Sequence, residues 1–313
     1  MTPRDMIADA GPEPGDRGPV VRALQEYLQG QGFALGVDGI YGPQTTRCVR
    51  LWQLLRLGRE YVDEGTLAAC MMIVEYTQPE PEDHEAAAAL IATLPPPMIA
   101  ADTYDPIWPA LAQMRADCAL VQPVDRDDLI AWVAVWLLTQ GITETAQNRG
   151  PWVDVLIALG GGAYEAADPW CARFVAACRG LSNWLRPDEL RDYPRTGSAA
   201  RTWIACPQSD RLEREEAAWM PGSIGGAFVR SRTSAPVWHR DVILRGEPMQ
   251  GHTGIVVDLE VDGFCAVAGN SSGQGHSSGS GSVALEVLSP TSGHALSAWQ
   301  RLVGIAHTSE IGA

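Results

Sequence analysis

The side chains best placed to do chemistry are a cysteine at a predicted helix start and a histidine at a predicted strand start. The run from Asp168 to Val175 (DPWCARFV) predicts a helix whose first turn holds Cys171, because proline favours helix starts. There the unpaired backbone N–H groups and the helix dipole favour thiolate, the nucleophilic form of cysteine. Most helical cysteines are core residues instead. Cys178, on the same face with apolar neighbours, is predicted to be one of those.

A thiolate catalyst needs a histidine brought to it by the fold and a third group that orients the histidine. Of the six histidines, His252 has the most suitable setting, at the mouth of a predicted strand between Gly251 and Gly254. These glycines allow a helix or a ligand to approach closely. We therefore predict that His252 is the general base for Cys171.

Asn270 is the candidate for the third group, because it closes the next predicted strand and is the only asparagine after His252. For the two residues to face each other across antiparallel strands, paired residue numbers must add up to 522. A two-residue turn at Asp262 and Gly263 gives 525 and puts Asn270 on the opposite face. The proposed triad therefore requires an odd loop or a β-bulge.

The elements that carry these residues are helices first and strands later, which is an α+β pattern. Hydrophobic periodicity predicts helices at 126–140, 150–159, 170–179 and 187–193. Strands are predicted at 226–230, 253–260, 263–269, 282–288 and 301–307.

A separate unit is predicted at residues 10–76. Its first helix has an apolar face at helical spacing and ends at Gly30 or Gly32. The turn-rich string GVDGIYGPQT follows, in which Asp38 is predicted to shape the turn through its own downstream backbone. A second helix comes next, and a third is predicted to open at 63–66 and run to about residue 72.

Residues 77–110 are rich in proline and acidic residues around an alanine-rich stretch at 85–94 that is predicted to be a short helix. Pro-rich chain is stiff and extended, so this block is interpreted as a linker. The remainder, 111–313, is predicted to be one α+β domain.

The stretch GDRGPVVRALQEYLQGQGF…GVDGIYGPQTTRCVRLWQ resembles the peptidoglycan-binding domain type 1 family, a three-helix module that binds bacterial cell wall. The resemblance covers about 60 residues. One departure is the final turn, which lacks the second glycine-rich repeat. The resemblance implies peptidoglycan as a partner, while Asp38, Gly39 and Gly42 are interpreted as turn-forming residues.

With PWCARFV, GHTGIV and AGNSSG in the papain-like order, residues 125–308 resemble the CHAP family (cysteine, histidine-dependent amidohydrolases/peptidases). The resemblance implies a papain-like fold, with helices packed on an antiparallel sheet. It implies Cys171 as nucleophile, His252 as general base and Asn270 as orienter. The whole chain thus resembles modular endolysins.

Two departures bear on activity. Many relatives have Glu two residues before the asparagine, where this chain has Ala268, and most have a small residue at the position of Arg173. Loss of that glutamate is expected to lower activity or to shift the orienting role wholly to Asn270.

Composition excludes several other classes. All 23 basic residues are arginine, so neither a Schiff-base lysine nor a P-loop lysine is present. A net charge of −15 argues against nucleic acid as a partner. The longest apolar stretch, Leu129 to Leu138, is too short to insert into a membrane.

Metal and cofactor chemistry has little support in the sequence. Seven cysteines without a C-x-x-C pair argue against a zinc ribbon or a disulfide scaffold. His239 and Asp241 lack further ligands nearby, so no metal and no cofactor is expected. Glu144 and Asn148 are interpreted as a solvated helix end, and 271–282 as a hairpin connection or lid.

The sequence thus predicts a peptidoglycan hydrolase that cuts amide bonds of the wall peptide, as an amidase or an endopeptidase. No signal peptide is evident at the N-terminus, so we expect synthesis in the cytoplasm and delivery to the wall by a holin or a secretion machine. The alternative is a non-catalytic wall-binding or phage structural protein with a decayed papain-like domain. Ala268 and Arg173 favour the alternative, and the intact set of Cys171, His252 and Asn270 favours the enzyme.

Overall fold

The computed structural model describes twelve parts of the chain, on which all structural statements rest. They are residues 3–58, 78–94, 107–123, 126–161, 170–189, 199, 211–213, 227–231, 251–260, 263–271, 281–289 and 302–306. The predicted third helix of the N-terminal unit, at 63–72, lies outside them, as does most of the predicted helix 187–193.

Within these parts, helices precede strands along the chain, so the predicted α+β class is confirmed. The helices are α1 (Pro3–Ala10), α2 (Pro19–Gly30), α3 (Pro43–Leu57), α4 (Pro81–Ala92), α5 (Trp108–Val121), α6 (Arg126–Thr139), α7 (Pro151–Leu159) and α8 (Cys171–Leu185), followed by a 3₁₀ turn at Pro187–Glu189. The strands are β1 (Arg211–Glu213), β2 (Ala227–Ser231), β3 (Gly251–Glu260), β4 (Gly263–Ser271), β5 (Ser282–Leu288) and β6 (Leu302–Ala306). None of the described helices combines the length and the apolarity needed to cross a membrane.

The strands form one antiparallel sheet in the order β1-β6-β2-β3-β4-β5. The five strands β2 to β6 lie within two residues of their predicted bounds, because each is a short run of alternating or continuous apolar residues. Strand β1 was not predicted, since three residues are too few to show a period.

The two faces of the sheet have different surroundings. Helices α6 and α8 pack against β3 and β4, and this face joins the large apolar core shared by most helices. The other face carries a smaller cluster of buried side chains, which consists of Phe228, Val256, Phe264, Ala266, Ala268 and Leu288. A helix that begins beside β3 and β4 can therefore bring its first residues to the strands that carry the predicted site.

In the N-terminal unit, a buried glutamine and Asp38 shape the turn between α2 and α3. Gln25 Nε2 donates to Asp38 Oδ1 at 2.9 Å, and the backbone N–H of Ile40 donates to the same oxygen at 2.8 Å. Gly39 between them has a φ of 73°, a conformation that favours glycine. The predicted turn-forming role of Asp38 is thus confirmed.

The predicted linker is not an extended spacer over its described residues. Helix α4 packs along α5, with Ala87 fully buried between them. Asp83 on α4 pairs with Arg115 on α5 at 2.9 Å. The alanine-rich stretch was expected to be helical, but its helix starts earlier, at Pro81, where proline and two acidic residues favour a first turn.

Helix α3 of the N-terminal unit packs directly against the sheet-bearing unit. The indole N–H of Trp132 on α6 donates to the carbonyl of Leu55 at 3.1 Å. Arg47 on α3 pairs with Glu260 at the end of β3, and Arg50 lies 2.6 Å from the buried carboxylate of Asp258. The two units therefore share a core and are joined by ion pairs to the strand that carries His252.

We expect Arg50→Ala to lower the free energy of unfolding by about 2–4 kcal/mol, because it leaves the carboxylate of Asp258 buried without its cation. Arg47→Ala is the matched control and should cost about 1 kcal/mol or less, since Glu260 keeps partial contact with solvent. Urea denaturation of both variants measures the difference. Equal losses would mean that the Arg50–Asp258 pair does not stabilise the junction.

Candidate functional site

Cys171 is the first residue of α8 and is 3% exposed. The preceding residue, Trp170, occupies the N-cap position without a side-chain capping bond and is completely buried. The position that the sequence predicted for Cys171, in the first turn of a helix, is therefore the position it has. Cys178 lies one to two turns further on with no exposure, where burial raises the pKa of its thiol far above the usual value.

Trp170 fixes the start of α8 against the sheet. Its indole N–H donates to Glu144 Oε1 at 2.6 Å, and its ring packs against Phe174 at 6.4 Å between centroids. Gly269 on β4 lies under the Trp170 ring, and a Cβ at that position would collide with it. Glu144 is thus a half-buried hydrogen-bond partner of Trp170 at the start of α8, rather than the solvated helix end that the sequence indicated.

His252 is buried on β3 and contacts both Cys171 and a carboxylate. Its Nε2 lies 2.8 Å from Oε1 of Glu286, and its side chain is also hydrogen-bonded with that of Cys171. The prediction that the fold brings His252 to Cys171 therefore agrees with the structure.

The surroundings of His252 favour its protonated form. Burial alone lowers the pKa of an imidazole, but the charge of Glu286 and the hydrogen bonds with Cys171 and Glu286 outweigh it. Together they raise the pKa of His252 to about 9. At neutral pH the site therefore favours an imidazolium beside the cysteine, the state in which a thiolate is best stabilised.

The register of β3 and β4 contains the irregularity that the sequence argument required. Ile255 pairs with Val267 and Val256 with Ala266, so that paired numbers add up to 522. Beyond Val257 the register shifts, and Asp258 pairs with Cys265. One bulge thus compensates for the short loop between the strands.

Asn270 is nevertheless not a partner of His252. It lies at a second irregularity, between Ala268 and Ser271 in the pairing of β4 with β5, and has a φ of 54°. Its amide oxygen lies close to Gly281 and Glu144, on the side of Trp170. The predicted orienting role of Asn270 therefore needs correction. The sequence argument assumed that side chains alternate regularly between the two faces of β4 up to Asn270, and the bulge at this residue breaks that alternation.

Glu286 takes the place that Asn270 was expected to fill. It pairs with Ala266 on the neighbouring strand β4, and the next residue on that face of β4 is Ala268. These two short side chains leave room for the Glu286 carboxylate to reach across β4 to His252. Ser271 Oγ donates to the same carboxylate oxygen at 2.6 Å and fixes it further.

Sequence reasoning missed Glu286, although one signal was present. The strand SVALEVL has a single charged residue in an otherwise apolar run, and a charged group in such a strand needs a partner. Its position two strands from His252 could not be read without the sheet order. Ala268 has no carboxylate, and the one that contacts His252 belongs to Glu286 on the strand beside β4.

Arg173, the other departure from the CHAP pattern, points elsewhere. Its guanidinium donates to the carbonyl of Gly160 at the end of α7, at 3.1 Å. A Cβ at Gly160 would collide with the Arg173 backbone, so α7 and α8 are in close contact there. Arg173 therefore ties α8 to the end of α7.

The remaining described cysteines are free, buried thiols, and they are Cys48, Cys118, Cys178 and Cys265. Burial raises the pKa of both Cys48 and Cys118 to about 11. Within the described part of the chain, no group of three His, Cys, Asp or Glu side chains is arranged to hold a metal. His239 and Asp241 lie outside that part.

The N-terminal unit has its own candidate binding surface, a depression of about 790 Å³ beside the turn that Asp38 shapes. Arg17, Arg22 and Glu26 line it together with Asp38 and Ile40. Ile40 is 37% exposed. The exposed Ile40 side chain, which lies between charged side chains, could contact the apolar parts of a mainly polar polymer.

Residues 17–69 match the family model described as a putative peptidoglycan binding domain. The match begins just before α2 and includes α3, so it covers the unit with the Ile40 depression. No curated protein and no solved structure matched the chain significantly. The N-terminal unit is therefore a peptidoglycan-binding domain, which indicates association with the bacterial cell wall.

Proposed function

We propose that the protein is a peptidoglycan hydrolase in which Cys171, His252 and Glu286 cut an amide bond of the wall peptide. The observation that carries the proposal is the chain of contacts from the Cys171 thiol through His252 to the Glu286 carboxylate. Nucleophile, base and orienter in contact are the arrangement that covalent acyl transfer requires. The peptidoglycan-binding domain supports the choice of wall peptide as substrate.

The proposed reaction begins with the thiolate of Cys171 attacking the amide carbonyl. The backbone N–H of Cys171, at the start of α8, is placed to stabilise the oxyanion. His252 then gives its proton to the leaving amine, and water, activated by the same imidazole, releases the acyl group. Glu286 holds the imidazole in place and stabilises its charged form throughout.

A papain-like fold of the CHAP type is part of the proposal. Three observations support it: Cys171 starts a helix, the helix packs against an antiparallel sheet, and His252 lies near the start of a central strand. The third group is contributed by β5 rather than by β4. We further propose that the protein is made in the cytoplasm and acts on the wall after release or delivery.

A non-catalytic wall-binding or phage structural protein is the second candidate. The observation that favours it is burial, since Cys171 and His252 are each only 3% exposed. Incubation with purified peptidoglycan, followed by mass spectrometry of the soluble products, decides between the two. New termini at one amide bond support the hydrolase and show whether it is an amidase or an endopeptidase; intact peptidoglycan supports the second candidate.

Ile40→Ser should reduce the fraction of protein that pellets with peptidoglycan sacculi several-fold, because it removes the exposed apolar side chain of the depression. The measurement uses the full-length chain carrying Cys171→Ala, so that the sacculi stay intact. Gln44→Ser, at an exposed position of the same unit outside that depression, is the matched control and should pellet like the parent. Unchanged pelleting of the Ile40 variant would place wall binding on another surface.

A further inference from the structure

Ser271, the last residue of β4, is hydrogen-bonded to the proposed triad without belonging to it. Its Oγ donates at 2.6 Å to Oε1 of Glu286, the same oxygen that lies 2.8 Å from Nε2 of His252. Ser271 is itself buried. Hydrogen bonds to a carboxylate are stronger than neutral ones, and a low local dielectric strengthens them further. One carboxylate oxygen is thus held by contacts from two neighbouring strands.

The bulge at Asn270 is what puts Ser271 on this face of the sheet. Ala268 pairs with Ala284 on β5. The next pair in the register is Ser271 with Ser282, so β4 advances by three residues while β5 advances by two. Because side chains alternate between faces, an unbroken β4 would turn Ser271 to the opposite face, away from the carboxylate. The extra residue of the bulge instead places its hydroxyl beside the carboxylate.

The backbone of Ser271 is held in this position by the start of β5. Ser282, which is 1% exposed, donates from Oγ to the Ser271 carbonyl at 2.8 Å. The residue before it, Gly281, accepts a bond from the backbone N–H of Glu144 at 2.8 Å. The end of β4, the start of β5 and the segment before α7 are therefore tied together, and the Ser271 hydroxyl is presented from a fixed point.

The Glu286 carboxylate needs such a contact because its side chain crosses a strand. Neighbouring strands lie about 4.8 Å apart, and β4 separates β5 from β3, which carries His252. The short side chains of Ala266 and Ala268 leave the space that Glu286 crosses, but they give its several rotatable bonds little to pack against. Ordering a glutamate side chain costs conformational entropy, which a hydrogen bond from a fixed donor offsets.

We propose that Ser271 is a positioning residue of the site, and that it acts by holding the Glu286 carboxylate against His252. Asn270 then serves the site through the backbone conformation of its bulge, which places Ser271, rather than through its amide. The inference rests on the proposed roles of Cys171, His252 and Glu286. It does not depend on which bond of the wall is cut.

The test is the rate at which iodoacetamide alkylates Cys171 in the full-length chain, measured as a function of pH by mass spectrometry of the peptide that contains it. The thiolate is the form that reacts. Burial lowers the pKa of His252, while Glu286 and Cys171, the titratable groups that act on it within the described residues, raise it to about 9. The alkylation profile of the parent should therefore change as His252 loses its proton near that pH.

In Ser271→Ala the carboxylate of Glu286 is no longer held against His252, so the effect of burial gains weight and the pKa of His252 falls. The change in the alkylation profile should move to lower pH. In the release of wall fragments, kcat should fall about tenfold with little change in KM, as expected for the loss of one hydrogen bond to a charged group.

Ser182→Ala is the matched control, because it also removes a buried serine hydroxyl, one that donates to the Cys178 carbonyl at 2.8 Å. Its alkylation profile should match that of the parent. A second comparison introduces Ser271→Ala into the Glu286→Gln variant. A residue that acts through the carboxylate should have little further effect on the profile once the carboxylate is gone. An equal shift in both backgrounds would assign the effect of Ser271 to packing and overturn the proposal.

Alkylation needs no wall substrate, so the outcomes separate this proposal from the proposed function. A parent-like profile and kcat for Ser271→Ala overturn the role of Ser271 and leave the hydrolase standing. A shift to higher pH also overturns it, since the hydroxyl would then only withdraw charge from Glu286. The expected shift in a chain that releases no wall fragments supports the positioning role and overturns the hydrolase. If Ser271→Ala fails to fold by circular dichroism, Ser271→Cys, similar in size but a weak donor, decides the question by the same measurement.

Discussion

Replacing Cys171 with Ala should abolish the release of wall fragments, with a loss of at least about 10³-fold in rate. The thiol is the only proposed nucleophile, and its position at the start of α8, in contact with His252, is what gives it that role. Fragment release from labelled sacculi measures the rate. The variant should still pellet with sacculi, because Cys171 is not part of the peptidoglycan-binding unit.

Cys178→Ala is the matched control for this experiment. Cys178 belongs to the same helix and is fully buried, but it lies away from the helix start, and burial keeps it a neutral thiol. We expect activity close to that of the parent, with a small loss of stability from the smaller side chain. Equal loss of activity in both variants, with folding preserved, would contradict the assignment of Cys171 as nucleophile.

The elements around the site were predictable because each is defined by local pattern. The strand carrying His252 and the helix starting at Cys171 were both found from apolar periodicity and helix-start chemistry. The contact between Cys171 and His252 was also expected, because a cysteine nucleophile requires a histidine beside it. What joins them is the packing of α8 on β3 and β4 through Gly269 and Trp170, which the sequence did not specify.

The third group was not predictable by the same reasoning. The bulge near Val257 was a stated requirement for Asn270, and it is present. A second bulge at Asn270 itself then turned that side chain away, and bulges leave little trace in a single sequence. The contact between Glu286 and His252 depends on the order of strands in the sheet and on two alanines in the intervening strand. Neither feature can be predicted from local sequence.

The packing of the two units was missed for a related reason. Proline and acidic residues at 77–83 indicated a stiff spacer, but a proline at the first position of a helix favours that helix. Residues 10–76, which include α3, were predicted to form a separate unit. Arg47 and Arg50 instead pair with Glu260 and Asp258, so the wall-binding unit is fixed to the strand that carries His252.

Replacing Glu286 with Gln should lower kcat by about 10²-fold with little change in KM, because the amide keeps the shape of the carboxylate but not its charge. In the parent, burial lowers the pKa of His252, and the carboxylate and Cys171 raise it to about 9. Without the carboxylate the balance moves toward burial, so the pKa of His252 falls. The alkaline limit of the pH–rate profile should therefore move to lower pH.

The stability of the folded protein should also depend on the charge of His252. Because the folded-state pKa of His252 is above its unfolded value of 6.5, the stabilisation from its protonation is complete below pH 6.5 and is lost as the pH rises through about 9. The parent should thus be more stable than Glu286→Gln near neutral pH, and the difference should shrink toward pH 9. Thermal melts across this range measure it, and a purely structural role for Glu286 would give a pH-independent difference.

Asn270→Gly is the matched control for Glu286→Gln, since glycine accepts the positive φ at this position while the amide is removed. Its side chain lies beside Glu144 and Gly281 and does not hydrogen-bond with His252, so we expect kcat and the pH profile to stay near those of the parent. The opposite result, a large loss in Asn270→Gly with a normal rate in Glu286→Gln, would return the orienting role to Asn270. Loss in both would mean that the two strands position His252 jointly, with the carboxylate acting through charge and the amide through the bulge.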